Sequence, residues 1–412
     1  MMYKVRNERN YITGLGIHSC LGEDIPSFAK ALRDGKCGLY HDTYREKIGY
    51  QSCLCGAVPQ VSFKYTDRLS RAQRQCFSLP TYYALSAVRQ ALEEAKVSDD
   101  FLKEHHVSLI VSNDSTADAM MDIGTTMQRT NDTRCLGAGA VFRSLNSTAS
   151  MNLASLLGIH GLSLTVSAAC AGGGHAICLA QMLLNSHQTE MVIVVGAQEA
   201  GPSSMQSFDA LGVFATDAVR PFDKHRSGLA PSGGAACIIL ESEYFYHMRK
   251  EEEDMKHTPL ARLSGYGFST NGLQSPCTPL ASYESVSMVQ AIDNALLDEG
   301  DIDVILAHAT GTPTGDEAEA TAIKDSFTLC PHVVATKGMT GHECWMAGVS
   351  QAVQATLMIK HGFLPGCVGT DDNAFPDMKL VMKTMKYAPH NILCNSFGFG
   401  GTNASFVISK AI

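Results

Sequence analysis

Short apolar runs alternate with longer helical stretches along this chain, which predicts buried strands covered on both faces by helices, an α/β architecture. The first set of strand-like runs is Tyr11-Ile12-Thr13, Val107 to Val111, Leu162 to Val166, Met191 to Val195 and Ala235 to Leu240. A second set follows: Ala261 to Gly265, Val304 to Ala307, Val333 to Ala335, Ile392 to Cys394 and Ser405 to Ile408. The sets echo one another. Gly14-Leu15-Gly16, after the first strand, has a counterpart in Gly265-Tyr266-Gly267; Leu109 to Asn113 is matched by Val304 to His308, and Ala236 to Leu240 by Ala404 to Ile408. These echoes, with about 250 residues from the first strand to its second copy, predict an internal duplication, with halves 1–250 and 251–412. The charged run from Arg249 to His257 lies between the copies and reads as a solvated linker or helix end that marks the boundary.

Composition narrows the functional classes. With 412 residues the chain can bury two cores. Hydrophobic residues at 45% and charged residues at 18% describe a globular enzyme, not a disordered or fibrous chain. The first ten residues are too polar for a signal peptide, and no run of about 18 apolar residues follows, which predicts a cytoplasmic protein without membrane insertion. Fourteen cysteines lack paired spacing, and Cys53-x-Cys55 has no second pair, so free thiols are expected and no metal site. A net charge of -9 argues against nucleic acid. An acidic partner would need a local basic patch.

Four positions could carry chemistry. Cys170 ends the strand-like Leu162 to Val166 after Ser167-Ala168-Ala169 and precedes a helix-compatible run. At such a turn its sulfur would meet a helix N-terminus, where the dipole and free N–H groups favour thiolate. His308 follows a strand and opens the small polar run Ala309-Thr310-Gly311-Thr312-Pro313-Thr314-Gly315-Asp316; strand-end loops often carry function. His342 sits in a glycine-rich turn leading into a helix, five residues after Lys337. One nucleophile, two donors for an oxyanion and one ordering cation suit acyl transfer. The glycine-rich run Asn395 to Asn403 precedes a strand and reads as a close-approach loop, whereas a dinucleotide fingerprint follows a strand. Gly14-x-Gly16 lacks the third glycine and later acid that would complete one.

Together, Ala168-Ala169-Cys170, His308 to Asp316, Lys337-Gly338-Met339-Thr340-Gly341-His342 and Asn395 to Asn403 resemble the elongating β-ketoacyl-acyl-carrier-protein synthases in order and spacing. Ile12 to Ile17 and Arg220 to Gly228 extend the resemblance over nearly the whole chain. It implies a duplicated thiolase fold in five layers, αβαβα, a homodimer, and no cofactor beyond the phosphopantetheine that arrives on acyl carrier protein. On this resemblance Cys170 takes the acyl group, His308 and His342 stabilise the enolate left by decarboxylation of malonyl-carrier protein, and the backbone N–H groups of Cys170 and Phe399 hold the second oxyanion. Phe399 also resembles a gate beside the thiol. Lys337 would pair with Glu319, and Thr310 and Thr312 would bind the phosphopantetheine arm.

Two departures stand out. Gly228-Leu229-Ala230-Pro231-Ser232-Gly233-Gly234 lacks an acidic residue usual in the family, and His308-Ala309 replaces His-Gly. A decarboxylating chain-length partner lacks the nucleophile that Cys170 provides. A starter-unit synthase usually has Asn where His342 stands, and a degradative thiolase has a second cysteine near the last motif, where Gly398-Phe399-Gly400 has none. The remaining alternatives are a catalytically silent carrier-binding scaffold and a polyketide-specific subunit. Carrier proteins are acidic, and Arg68, Arg71 and Arg74 are the expected docking patch.

Overall fold

The structure, a computed structural model, describes residues 9–199, 201–252, 258–273 and 275–411. Eleven strands form one mixed sheet: β1 Asn10–Ser19, β2 Val107–Ser112, β3 Ser163–Val166, β4 Met191–Gln198, β5 Gly234–Ser242, β6 Ala261–Thr270, β7 Val304–Leu306, β8 His332–Val334, β9 Lys379–Leu380, β10 Asn391–Gly398 and β11 Thr402–Ser409. The spatial order is β9-β8-β7-β10-β11-β6-β1-β5-β4-β2-β3. The two halves repeat: β1-β5-β4 is antiparallel and β4-β2-β3 parallel, as β6-β11-β10 is antiparallel and β10-β7-β8 parallel. They meet where β1 pairs with β6 through Asn10, Tyr11 and Ile12.

Helices complete five layers. Helix α1 (Leu79–Ala95) covers β1, β4 and β5 on one outer face; α2 (Gly172–Asn185) packs in the middle; α3 (Pro202–Ala210) lies to the side; α4 (Glu243–Glu252) follows β5. Helix α5 (Ala281–Asn294) covers β6, β10 and β11, α6 (Pro313–Ser326) lies against α5, and α7 (Ala347–His361) joins α2 in the middle layer. Strand side chains alternate between these layers. In β4, Val192 and Val194 enter the central core with Ile177 and Val349, while Ile193 and Val195 face the outer core with Val88 and Leu92. Both faces are dry, so the strand reads as one unbroken apolar run.

The glycine echo has a steric cause that differs from the expected one. Gly14 and Gly16 do not follow the first strand; they lie inside it, because β1 continues to Ser19. A Cβ on Gly14 would sit 2.1 Å from the Ala91 carbonyl oxygen, and one on Gly16 1.8 Å from that of Ala87, so α1 can approach only a strand bare at both positions. Gly265 and Gly267 repeat the arrangement against Ala291 and Ser287 of α5. Asn395 to Gly398, expected in a loop, instead continue β10, paired from Asn395↔Ser405 to Gly398↔Thr402.

The described part of the charged run is a helix end, with Glu251 exposed and Lys250 half-buried, but Arg249 departs from the solvated reading. Residues 253–257 fall outside the described residues, but Arg249 is 1% exposed on α4 and donates to both Glu241 carboxylate oxygens at 2.9 and 3.0 Å; Glu241 also accepts from Thr13 Oγ1. Its charge clamps a helix onto the sheet instead of facing water. Among the described residues no helix is long and apolar enough to cross a membrane. Removing one partner of a buried pair strands the other charge, so Arg249→Ala should lower stability by about 3–5 kcal/mol in urea denaturation, with much of the loss recovered in the double variant Arg249→Met, Glu241→Leu.

Candidate functional site

After β3 the chain turns sharply. Ala169 takes φ 46, in the left-handed region, and Cys170 occupies a helical turn, Ala169–Ala171, that runs directly into α2. The turn is tied down by Asp114, which accepts from the Ala169 N–H at 2.9 Å, by Thr402, whose hydroxyl donates to Ala168, and by Ser396, whose hydroxyl donates to the Cys170 carbonyl at 3.2 Å. Cys170 is 6% exposed. Its thiol is held well below the ordinary range, first by the neighbouring Cys344 thiol and then, against the effect of burial, by His342 and Lys337.

His308 follows β7, and its own peptide is gripped from two sides. Glu319 of α6 accepts from the His308 N–H at 2.8 Å and the Ala309 N–H at 2.7 Å, and Asn395 braces it at 3.0 Å. The Lys337 ammonium donates to the His308 carbonyl and lies 3.5 Å from its Nδ1. Lys337 therefore does not form the expected direct ion pair with Glu319. The two charges meet across the His308 peptide, which gives each a nearer hydrogen-bond partner than the other. Burial, then Lys337 and His342, push the His308 imidazole well below its usual range and keep it neutral. Ala309 sits at φ 25, in a region that favours glycine, so the departure from His-Gly is held in strain by Glu319.

His342 is positioned by the other departure. Its N–H donates to the Ala230 carbonyl at 2.7 Å, and its carbonyl accepts from the Ser232 N–H at 3.0 Å, a short parallel bridge centred on Pro231. The segment lacking the acidic residue thus serves as a backbone bracket. His308 and His342 rings meet edge to face, 5.2 Å apart. Phe399 lies in the turn after β10 and stacks on Phe208 of α3 at 6.1 Å. That turn passes very close to Cys170: a Cβ on Gly398 would fall 3.0 Å from the Cys170 nitrogen.

These elements enclose a cavity of about 260 Å³ whose wall includes Cys170, His308, His342 and Phe399, with Thr310, Thr312 and Glu319. The Thr310 and Thr312 hydroxyls are 2.9 Å apart. Lys337 is absent from the wall, behind His308. The arginines lie elsewhere: Arg68, Arg71 and Arg74 are all exposed, and Arg74 also donates to the carbonyls of Leu69, Thr66 and Asp67 of its own turn.

Sequence reasoning missed Cys344, Asn395 as brace of Glu319, and Glu284. Glu284, on the first turn of α5, lines the cavity at 2% exposure, and its Oε2 has no hydrogen-bond partner among the described residues. Burial, then the Glu319 charge, raise its carboxyl to about 9, so it is neutral at pH 7. No spacing in the sequence points to it.

Residues 7–245 match the family of the beta-ketoacyl synthase N-terminal domain, and residues 260–371 that of the C-terminal domain. The chain is 28% identical to 3-oxoacyl-[acyl-carrier-protein] synthase 1 of Escherichia coli (strain K12), over 98% of this chain and 99% of that one. It is 27% identical to 3-oxoacyl-[acyl-carrier-protein] synthase 2 of Vibrio harveyi, over 98% of each. Among solved structures, the ishigamide ketosynthase/chain length factor superposes with a TM-score of 0.90 at 25% identity, over 98% of this chain and 100% of that one. A beta-ketoacyl synthase from Burkholderia phymatum gives 0.90 at 22%, with the same coverage, and shows the shared fold.

Glu284 yields a pH prediction. An unfolded glutamate releases its proton near 4.5, whereas the folded chain keeps this one to about 9. Between those values the folded state binds more protons, so the group costs increasing stability as pH rises. Glu284→Gln removes that cost, and its melting temperature should exceed wild type by more at pH 8 than at pH 5.

Proposed function

Because the chain belongs to the β-ketoacyl synthase family, we propose that it lengthens acyl chains by decarboxylative condensation, with Cys170 carrying the growing chain and acyl carrier protein delivering both substrates. The observation that carries this reading is the convergence of Cys170, His308 and His342 on one buried cavity.

The Cys170 thiolate attacks the acyl thioester carbonyl; its C–S bond forms as the bond to the phosphopantetheine sulfur breaks. Malonyl-carrier protein then enters, with Thr310 and Thr312 hydrogen-bonding its arm. Hydrogen bonds from His308 and His342 to the thioester oxygen accept the charge that develops as the bond to the carboxylate breaks and carbon dioxide leaves. His308 suits this role because it is neutral. The nearby Lys337 ammonium leaves Nδ1 as the acceptor and the proton on Nε2. Next, the enolate carbon attacks the acyl-Cys170 carbonyl, the backbone N–H groups of Cys170 and Phe399 hold the oxyanion, and the Cys170 thiolate leaves. Phe399, stacked on Phe208, gates access to the thiol.

No resident cofactor is needed for these steps, since the phosphopantetheine comes with the substrate. The two halves, 1–250 and 251–412, contribute Cys170 and the His308, Lys337 and His342 set respectively. The chain works as a homodimer in the cytoplasm, in fatty acid or polyketide elongation. Arg68 and Arg71 attract the acidic carrier, with Arg74 holding their turn.

Incubation with acyl-carrier protein should add one acyl mass to the wild-type chain and none to Cys170→Ala, as read by intact mass spectrometry. His308→Ala should still take the acyl group yet condense about 10²–10³-fold more slowly. Equal acylation of Cys170→Ala would refute the assignment. Arg68→Glu with Arg71→Glu should raise KM for the carrier several-fold at low salt, an effect that fades with added salt.

A further inference from the structure

Apart from Cys170, the N-terminal half gives the cavity only apolar side chains, Phe208, Leu211, Val213 and Leu229; its amides, hydroxyls and carboxyls all come from the C-terminal half. Several of those polar groups are already occupied. Asn403 donates to Asn271 Oδ1 at 2.9 Å, and Asn271 donates to the Thr278 carbonyl at 3.1 Å. Thr310 and Thr312 pair with each other. Of the two carboxyls in the wall, Glu319 accepts from the His308 and Ala309 N–H groups and from Asn395. Glu284 is the other, and it is 2% exposed with Oε2 unpartnered among the described residues. Buried polar atoms are almost always hydrogen-bonded, so a carboxyl that meets a cavity without a partner suits a ligand that brings one.

Helix α5 fixes where that ligand would lie. Met288 stands one turn beyond Glu284 on the same face, and its sulfur accepts at 3.3 Å from Asn395 Nδ2, the group that also donates to Glu319. Ser287 Oγ donates to the Glu284 carbonyl at 2.8 Å. Glu284 therefore stands on the side of the cavity where Glu319 grips the His308–Ala309 peptide and the threonine run begins.

We propose that Glu284 is a binding residue for the phosphopantetheine arm, hydrogen-bonding an amide of that arm as it passes Thr310 and Thr312. This rests on the reading that carrier-bound thioesters reach Cys170. A hydrocarbon chain has nothing to offer a carboxyl and suits the apolar residues of the other half, whereas each amide of the arm carries one N–H and one carbonyl. Kept protonated by its burial, Glu284 can meet both: its O–H donates to the amide carbonyl, and its carbonyl oxygen accepts from the amide N–H.

Hexanoyl transfer to Cys170 of the full-length protein, followed by intact mass spectrometry, tests this with three thioesters. They are those of pantetheine, of N-acetylcysteamine, which keeps only the amide nearest the sulfur, and of pentanethiol, which has the length of N-acetylcysteamine and no amide. Wild type should react faster with the amide-bearing thioesters than with the pentanethiol one. Glu284→Leu should cut that preference about tenfold, the worth of one buried hydrogen bond; Glu284→Gln, which keeps a donor and an acceptor, should retain most of it. A cut confined to pantetheine also supports the proposal and places the contact at the outer amide. A folded Glu284→Leu whose preference matches wild type overturns it, as does one slowed equally on all three thioesters, the mark of a structural role. Either failure leaves acylation of Cys170 standing, whereas a wild-type chain that takes no acyl mass from hexanoyl-carrier protein removes the premise and the proposal with it.

Discussion

The site depends on one gripped peptide. The bond between His308 and Ala309 is held by a carboxylate on its N–H side and an ammonium on its carbonyl side, all of them buried. Either charge alone would be costly to bury. Together they fix the histidine against the cavity and strain Ala309 into a glycine-like conformation, while burial, then Lys337, hold the imidazole neutral. A neutral donor fixed in place beforehand is worth far more to a developing negative charge than one that must reorganise.

Duplication supplies the opposing pieces. Cys170 rides at the head of α2 and His342 precedes α7, and these two helices pack together in the middle layer. The tip of the β10–β11 hairpin then closes over Cys170, held near by Gly398. A cavity arises where three turns from distant parts of the chain converge, with α3 contributing Phe208 as one wall.

Much of this was legible in the sequence. Strand positions followed from apolar runs because both sheet faces are buried, and the glycine echo marked the repeat even though its cause, contact with helix carbonyls, belongs to tertiary packing. Cys170, His308 and His342 stood out because small residues surround them. What stayed hidden was contact between residues far apart: Arg249 with Glu241, the turn at Cys344 with the turn at Cys170, and Glu284 in a wall reached from α5. A charged run looks solvated until its partner strand is known. The spacing of Lys337 and Glu319 likewise could not reveal that a peptide lies between them.

The central claim is that His308 is a neutral donor held so by burial and Lys337. Nitrogen-15 NMR of histidine-labelled protein, with His308→Gln identifying the resonance, tests it most directly. A shift that stays at the neutral imidazole value with Nδ1 unprotonated from pH 8 to pH 5 is the result expected. Titration of that resonance near 6.5, the ordinary value for histidine, would contradict it.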